Sequence, residues 1–182
     1  MSDIPPFSHA LRVADLPTRK PTRFSLAPDA KACADIAAEL GISAVTALQL
    51  QGELRPSGNR DWVLAADLAA VVEQPCILTL APVRTQIDEP VSRRYVAGLH
   101  PPEAEEAEMP EDDSVEPLPS VIDLGAVMIE ALALSLPLYP RAEGATLDQS
   151  TFSESGSTPL TDEALRPFAD LANILKKGTP KQ

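Results

Sequence analysis

The chain has 182 residues, about one domain with attached segments, and sets 15 Lys and Arg against 27 Asp and Glu for a net charge of -12. No apolar run approaches the ~18 residues of a membrane span, and the opening stretch lacks the basic-then-apolar order of a secretory leader, so a soluble, cytoplasmic protein with no membrane partner is expected. Affinity for a nucleic-acid backbone comes mainly from basic groups that displace counterions; a chain this acidic is better suited to a basic protein partner, where charge speeds association.

Residues 1–24 are interrupted by Pro5, Pro6, Pro17 and Pro21, with one strand expected around Ser8–Val13. A helix then runs from Pro28, suited to a first helical position, to Gly41, suited to the residue just past the end. Cys33, Ile36, Ala37 and Leu40 make one apolar stripe along it, and Asp29 near its start favours the helix dipole. From Ala44 the period changes to two. Thr46, Leu48, Leu50 and Leu54 share one face, and Gln49, Gln51 and Glu53 the other. Residues 55–60 carry the turn formers Pro56, Gly58 and Asn59. Trp62, Leu64, Ala66, Leu68, Ala70 and Val72 alternate again. Beyond Pro75, Cys76, Leu78 and Leu80 read as a third run. Residues 86–96 read as a fourth, with Ile87, Val91 and Tyr95 inward. Successive strands on short connections give an α+β domain: an antiparallel β meander or partly closed sheet packed by flanking α-helices.

Residues 98–119 hold five prolines and eight acids with no Lys or Arg among those acids, and too little apolar surface to offset ordering; an acidic flexible loop is expected. A second helix follows from Asp123, its N-cap, to about Leu136, where Pro137 stops it. Leu124, Val127, Met128, Ala131, Leu132 and Leu136 form its buried side. The division is then a single domain over 7–141, a linker over 142–158 rich in Ser, Thr and Gly, and a helical tail over 159–178. In the tail Phe168, Leu171, Ala172 and Leu175 share a face. A helix this short is marginal alone, so the stripe folds back on its own domain, docks on a partner or frays.

No catalytic constellation stands out. Phosphate loop, nucleophile elbow and metalloprotease motifs are missing, and the two histidines, His9 and His100, lie near prolines in weakly patterned stretches. Cys33 and Cys76 are 43 residues apart and read as buried thiols; no metal and no cofactor are implied. A non-enzymatic protein is expected. Arg55, Arg60, Arg84, Arg93 and Arg94 lie at turns or strand ends, and would form a basic patch for RNA if the sheet gathers them. Only Trp62 and Tyr95 are near enough to supply stacking.

Three stretches together resemble the YceD family of large ribosomal RNA subunit accumulation proteins. They are Leu48 to Leu54 with Asp61-Trp62 and Cys76 to Val83; Ile122 to Gly125 with Glu130 and Leu134 to Pro140; and Arg166 to Ala172. The resemblance runs from about residue 7 to 177 and suits an alphaproteobacterial form. One departure is informative. Many members carry a second Cys where this chain has Thr79 and an Arg where it has Leu78, so a metal or redox role for a cysteine pair does not apply here. The resemblance implies a part in the synthesis, processing or stability of large-subunit (23S) rRNA. Together with the acidic composition, it points to a non-enzymatic factor that binds a basic ribosomal or rRNA-processing protein. Direct rRNA contact through an arginine patch is the alternative. The residues expected to meet a partner are Arg93, Arg94, Phe168, Leu171 and Leu175. The oligomeric state is unknown from sequence.

Overall fold

The structure, a computed structural model, describes residues 5–58, 60–99 and 115–146. Contacts divide the chain into Met1–Glu143 and Gly144–Gln182, and every element below belongs to the first unit. In chain order these are β1 (Ala10–Arg12), a short 3-10 turn (Val13–Asp15), β2 (Thr22–Leu26), α1 (Ala30–Glu39), β3 (Ala44–Ser57), β4 (Asp61–Pro75), β5 (Pro82–Val96), β6 (Val115–Pro117), β7 (Val121–Asp123) and α2 (Leu124–Ser135). The main sheet has the order β2-β3-β4-β5-β6, antiparallel except for β6, which lies parallel to β5. Strands β1 and β7 make a separate antiparallel pair. The fold is α+β.

Local sequence accounts for most of this. Asp29 caps α1 by accepting from the Ala32 amide at 2.8 Å, and Gly41 follows the helix with a φ of 65° that favours glycine. Cys33, Ile36 and Ala37 are buried, as the stripe requires. The alternation of β4 holds without exception from Trp62 to Val72, all inward. In β3 it holds for Leu48, Leu50 and Leu54, but a bulge between Val45 and Ala47 shifts the parity. Val45 therefore turns in, and Thr46 turns out to donate its hydroxyl to the Val71 carbonyl at 3.1 Å.

Pro28 stands ahead of α1 and not at its first helical position, because the Asp29 carboxylate takes the cap. Two further expectations change. The run at Cys76 to Leu80 is a turn, not a strand. The Cys76 amide donates to the Ala81 carbonyl at 2.8 Å, the Leu80 amide donates to the Cys76 carbonyl at 2.9 Å, and Leu80 takes a φ of 59°. Leu80 turns outward, so its alternation with Cys76 was a pattern without a common buried face. Likewise Val115–Pro117, inside the span expected to be a loop, pairs with Arg94 to Val96 as β6. Three residues are too short a run for periodicity to mark.

The core lies on one face of the sheet. Leu50, Leu54, Leu64, Leu68 and Val72 are fully buried there with Ile36 of α1, Ile122 of β7, and Leu124, Met128 and Leu132 of α2. Each such side chain contributes roughly 1.5–3 kcal/mol by leaving water. Two glycines let backbones close in. A Cβ on Gly52 would stand 2.2 Å from the Ala65 carbonyl oxygen, and one on Gly125 would stand 2.6 Å from that of Phe7. The second contact lays the N-terminal segment over the first turn of α2. Asp123 secures it there: its carboxylate accepts from the Gly125 amide and the His9 amide, each at 2.8 Å, and from the Ser8 hydroxyl at 2.5 Å.

Candidate interaction surfaces

The register between β4 and β5 decides what the arginines do. Arg93 lies opposite Leu64, which is buried in the core, while Arg94 lies opposite Val63 on the other face. The Arg93 side chain is only 14% exposed; it pairs with Glu116 at 2.5 Å and Glu130 at 2.9 Å. Burial works against its charge, but the bond to Glu130 and the negative charges of Glu116 and Glu130 outweigh it and raise the pKa. Arg93 thus ties β5 to β6 and α2. The neighbouring Tyr95 is buried and its phenol is pushed up to about 12, by burial first and by Glu116 second, with Arg93 opposing.

The opposite face of the sheet is covered by no described helix. Arg55, Val63 and Arg94 form a cross-strand row over β3, β4 and β5, with both arginines exposed and no ion pair to a described residue. Arg60 stands at the β3–β4 tip, and the next row brings Arg23 against Glu53 at 3.8 Å. Further along, the same face carries Asp67, Asp88 and the opposed pair Glu73 and Arg84. Between the two ends the sheet is concave, lined by Gln49, Gln51, Ala65 and Asp67. The face is therefore polarised, with cations at the hairpin end and carboxylates beyond.

A third feature sits at the other end of the β4–β5 hairpin. The Ile77 amide donates to the Pro140 carbonyl at 3.0 Å, and the buried Gln74 side-chain amide donates to the Pro137 carbonyl at 3.3 Å, so the segment after α2 is fastened to the turn. Leu80, Leu138 and Tyr139 are each more than three-quarters exposed there. Beneath them Cys76 is closed to solvent, and its sulfur accepts from the Leu78 amide at 3.5 Å. Donation from the Ala142 amide, then from the Thr79 hydroxyl and the Leu78 and Thr79 amides, brings the thiol down to about 6, with burial opposing. The Thr79 hydroxyl also accepts from the Ala81 amide at 3.4 Å. Among the described residues no three His, Cys, Asp or Glu side chains gather as metal ligands, and no helix is long and apolar enough to cross a membrane.

Of the residues expected to meet a partner, Arg94 is exposed on the open face and Arg93 is engaged on the packed one. Phe168, Leu171 and Leu175 lie outside the described residues, as does most of the acidic segment. The row of Arg55 with Arg94 was legible only as two strand-end arginines; the strand register that aligns them has no local signal. The family described as Large ribosomal RNA subunit accumulation protein YceD matches residues 64–175, from β4 onward, leaving the Leu48 to Leu54 stretch outside the match. Searches of curated proteins and of solved structures gave no match. The family match spans more than half of the chain, which belongs to the YceD family, described by its part in large ribosomal RNA subunit accumulation.

Proposed function

We propose that the protein promotes the synthesis, processing or accumulation of large-subunit (23S) rRNA without catalysing a step itself, by holding a basic ribosomal or RNA-processing protein. The observation that carries this reading is the placement of charge. Glu103, Glu105, Glu106, Glu108, Glu111, Asp112 and Asp113 stand in sequence without an intervening Lys or Arg. The strands on either side of them are paired, Arg94 to Val115 and Val96 to Pro117, so both ends of the segment start from one edge of the sheet. An eighth acid, Glu116, is engaged by Arg93 and is not available. Seven carboxylates tethered at one place create a local negative field that raises the encounter rate with a basic chain by 10-fold or more and fades as salt rises.

The test is recovery of partners on the tagged full chain at low and high salt, with and without nuclease. A second arm replaces the seven acids by Gln or Asn. A basic large-subunit or processing protein that survives nuclease, and is lost both at high salt and with the neutralised segment, is the expected result. Recovery of rRNA alone, abolished by nuclease, would overturn it.

A further inference from the structure

We propose that the hairpin end of the open sheet face, Arg55 and Arg94 about Val63 with Arg60 at the tip and Arg23 alongside, docks on the phosphate backbone of RNA. The proposal does not depend on the basic-partner reading; Arg94, opposite Val115, stands on the strand from which the acidic segment leaves.

Three observations carry it. First, the arginines share one face because of register. Arg55 and Arg94 are each directly opposite Val63, so their stems stand about 10 Å apart across the three strands. Both are exposed, and the central Val63 is too small to fill the space between them. Two guanidinium groups on rigid strands are placed to take successive phosphates, each by paired N–H donors. Second, the charge changes sign along the face. The hairpin end holds Arg23, Arg55, Arg60 and Arg94 against Glu53 and Asp61, whereas the far end holds Arg84 against Asp67, Glu73 and Asp88. Asp61 accepts from the Ala97 amide at 3.0 Å and keeps its charge, and Glu53 pairs with Arg23, so four cations against two carboxylates leave an excess of two. Among the described residues of this face a polyanion therefore meets an excess of two cations at one end only, and its register is set by the acids it avoids at the other. Third, the aromatic residues close by are turned away. Trp62 and Tyr95 are 4% and 3% exposed on the packed face, so bases cannot stack on them. What remains is contact with the backbone, insensitive to base sequence.

Anisotropy of a fluorescent oligouridylate, titrated with the full chain at several salt concentrations, tests the proposal. Binding at low salt that falls linearly with log salt is expected. Arg55→Glu with Arg94→Glu should weaken it at least tenfold. The milder Arg55→Gln with Arg94→Gln should flatten the salt slope by about 1.4, two contacts at ~0.7 each. Arg84→Glu, at the far end of the same face, should leave affinity within twofold, and all variants should keep the wild-type circular dichroism because these side chains are exposed. Absence of low-salt binding by the wild type, or equal losses from Arg84→Glu and the hairpin-end variants, would overturn it. Recovery of a basic protein by the Arg55→Glu, Arg94→Glu chain separates this surface from the proposed acidic one. If that recovery fails while oligouridylate behaves as expected, the basic-partner reading fails and this one stands.

Discussion

Arg93 and Arg94 are adjacent in sequence and stand on opposite faces of the sheet, one opposite Leu64 and the other opposite Val63. The period of two that builds β5 makes neighbours into strangers. Arg93 is a cross-link among three elements, and Arg94 belongs to an open surface.

Their substitutions should therefore separate. Arg93→Gln leaves Glu116 and Glu130 without their cation beside a partly buried site; solvent reaches both carboxylates, so the loss should be about 1–2 kcal/mol rather than the larger figure for a fully buried pair. Arg94→Gln should change stability by less than about 0.5 kcal/mol. Urea unfolding of the two variants checks this, and equal shifts would contradict the division of roles.

Asp123 makes stability depend on acid. Burial raises its pKa, but bonds from Ser8, His9, Gly125 and Ala126 more than compensate, leaving the folded value below the ordinary 3.8. Just below pH 4 the unfolded chain keeps a proton that the folded one releases, so stability rises with pH across that window. The contribution is complete above the unfolded pKa and is lost as pH falls through the folded one. In urea titrations between pH 6 and pH 3, Asp123→Asn should show a shallower acid decline than the wild type. Asp123→Ala should cost about 1–2 kcal/mol at neutral pH through loss of the cap. An unchanged acid limb in Asp123→Asn would remove this residue as its source.

Much of the fold was legible because its devices are local. Asp123 announced the start of α2, Pro28 marked that of α1 two residues early, Gly41 and Pro137 marked both stops, and Trp62 to Val72 showed strict alternation. What failed had no local signal or a false one. The bulge before Ala47 reverses which side chain turns in, and nothing in Ala44 to Leu48 reveals it. Cys76 and Leu80 share parity, yet Leu80 is on the outside of a turn. The site was less legible than the fold. Which arginines share a face depends on pairing strands whose residues are about 30 to 40 apart in sequence, and composition shows only that few cations exist among many acids.

Cys76 offers a direct measure of the turn. With Cys33→Ala, the remaining thiol should titrate in thiolate ultraviolet absorbance with a midpoint near 6 instead of near 9. Thr79→Ala removes the hydroxyl donor and should raise the midpoint. A folded pKa depressed below the unfolded one contributes stability that is complete above pH 9 and lost as pH falls through 6, so stability of the wild type should rise between those values relative to Cys76→Ser. Alkylation should nonetheless be slow at pH 8, because the sulfur is closed to solvent and charge alone does not admit the reagent. A midpoint near 9 would mean that the amide and hydroxyl donors do not hold the thiolate.

The backbone at Leu80 predicts a gain from substitution. A φ of 59° places a branched side chain in the left-handed region, where Cβ crowds the following carbonyl by about 1–2 kcal/mol. Little repays this through packing, since 77% of the residue is exposed. The Leu80 amide already bonds to the Cys76 carbonyl, and that bond depends on conformation rather than on the side chain. Asn tolerates the left-handed region because its short amide bonds locally to the backbone. Leu80→Asn should accordingly raise stability by about 0.5–1 kcal/mol, whereas Leu80→Val, branched at Cβ, should lower it by a similar amount. Urea midpoints of the two variants against wild type decide the matter. A loss of stability in Leu80→Asn would show that the leucine side chain makes a contact worth more than the strain it imposes.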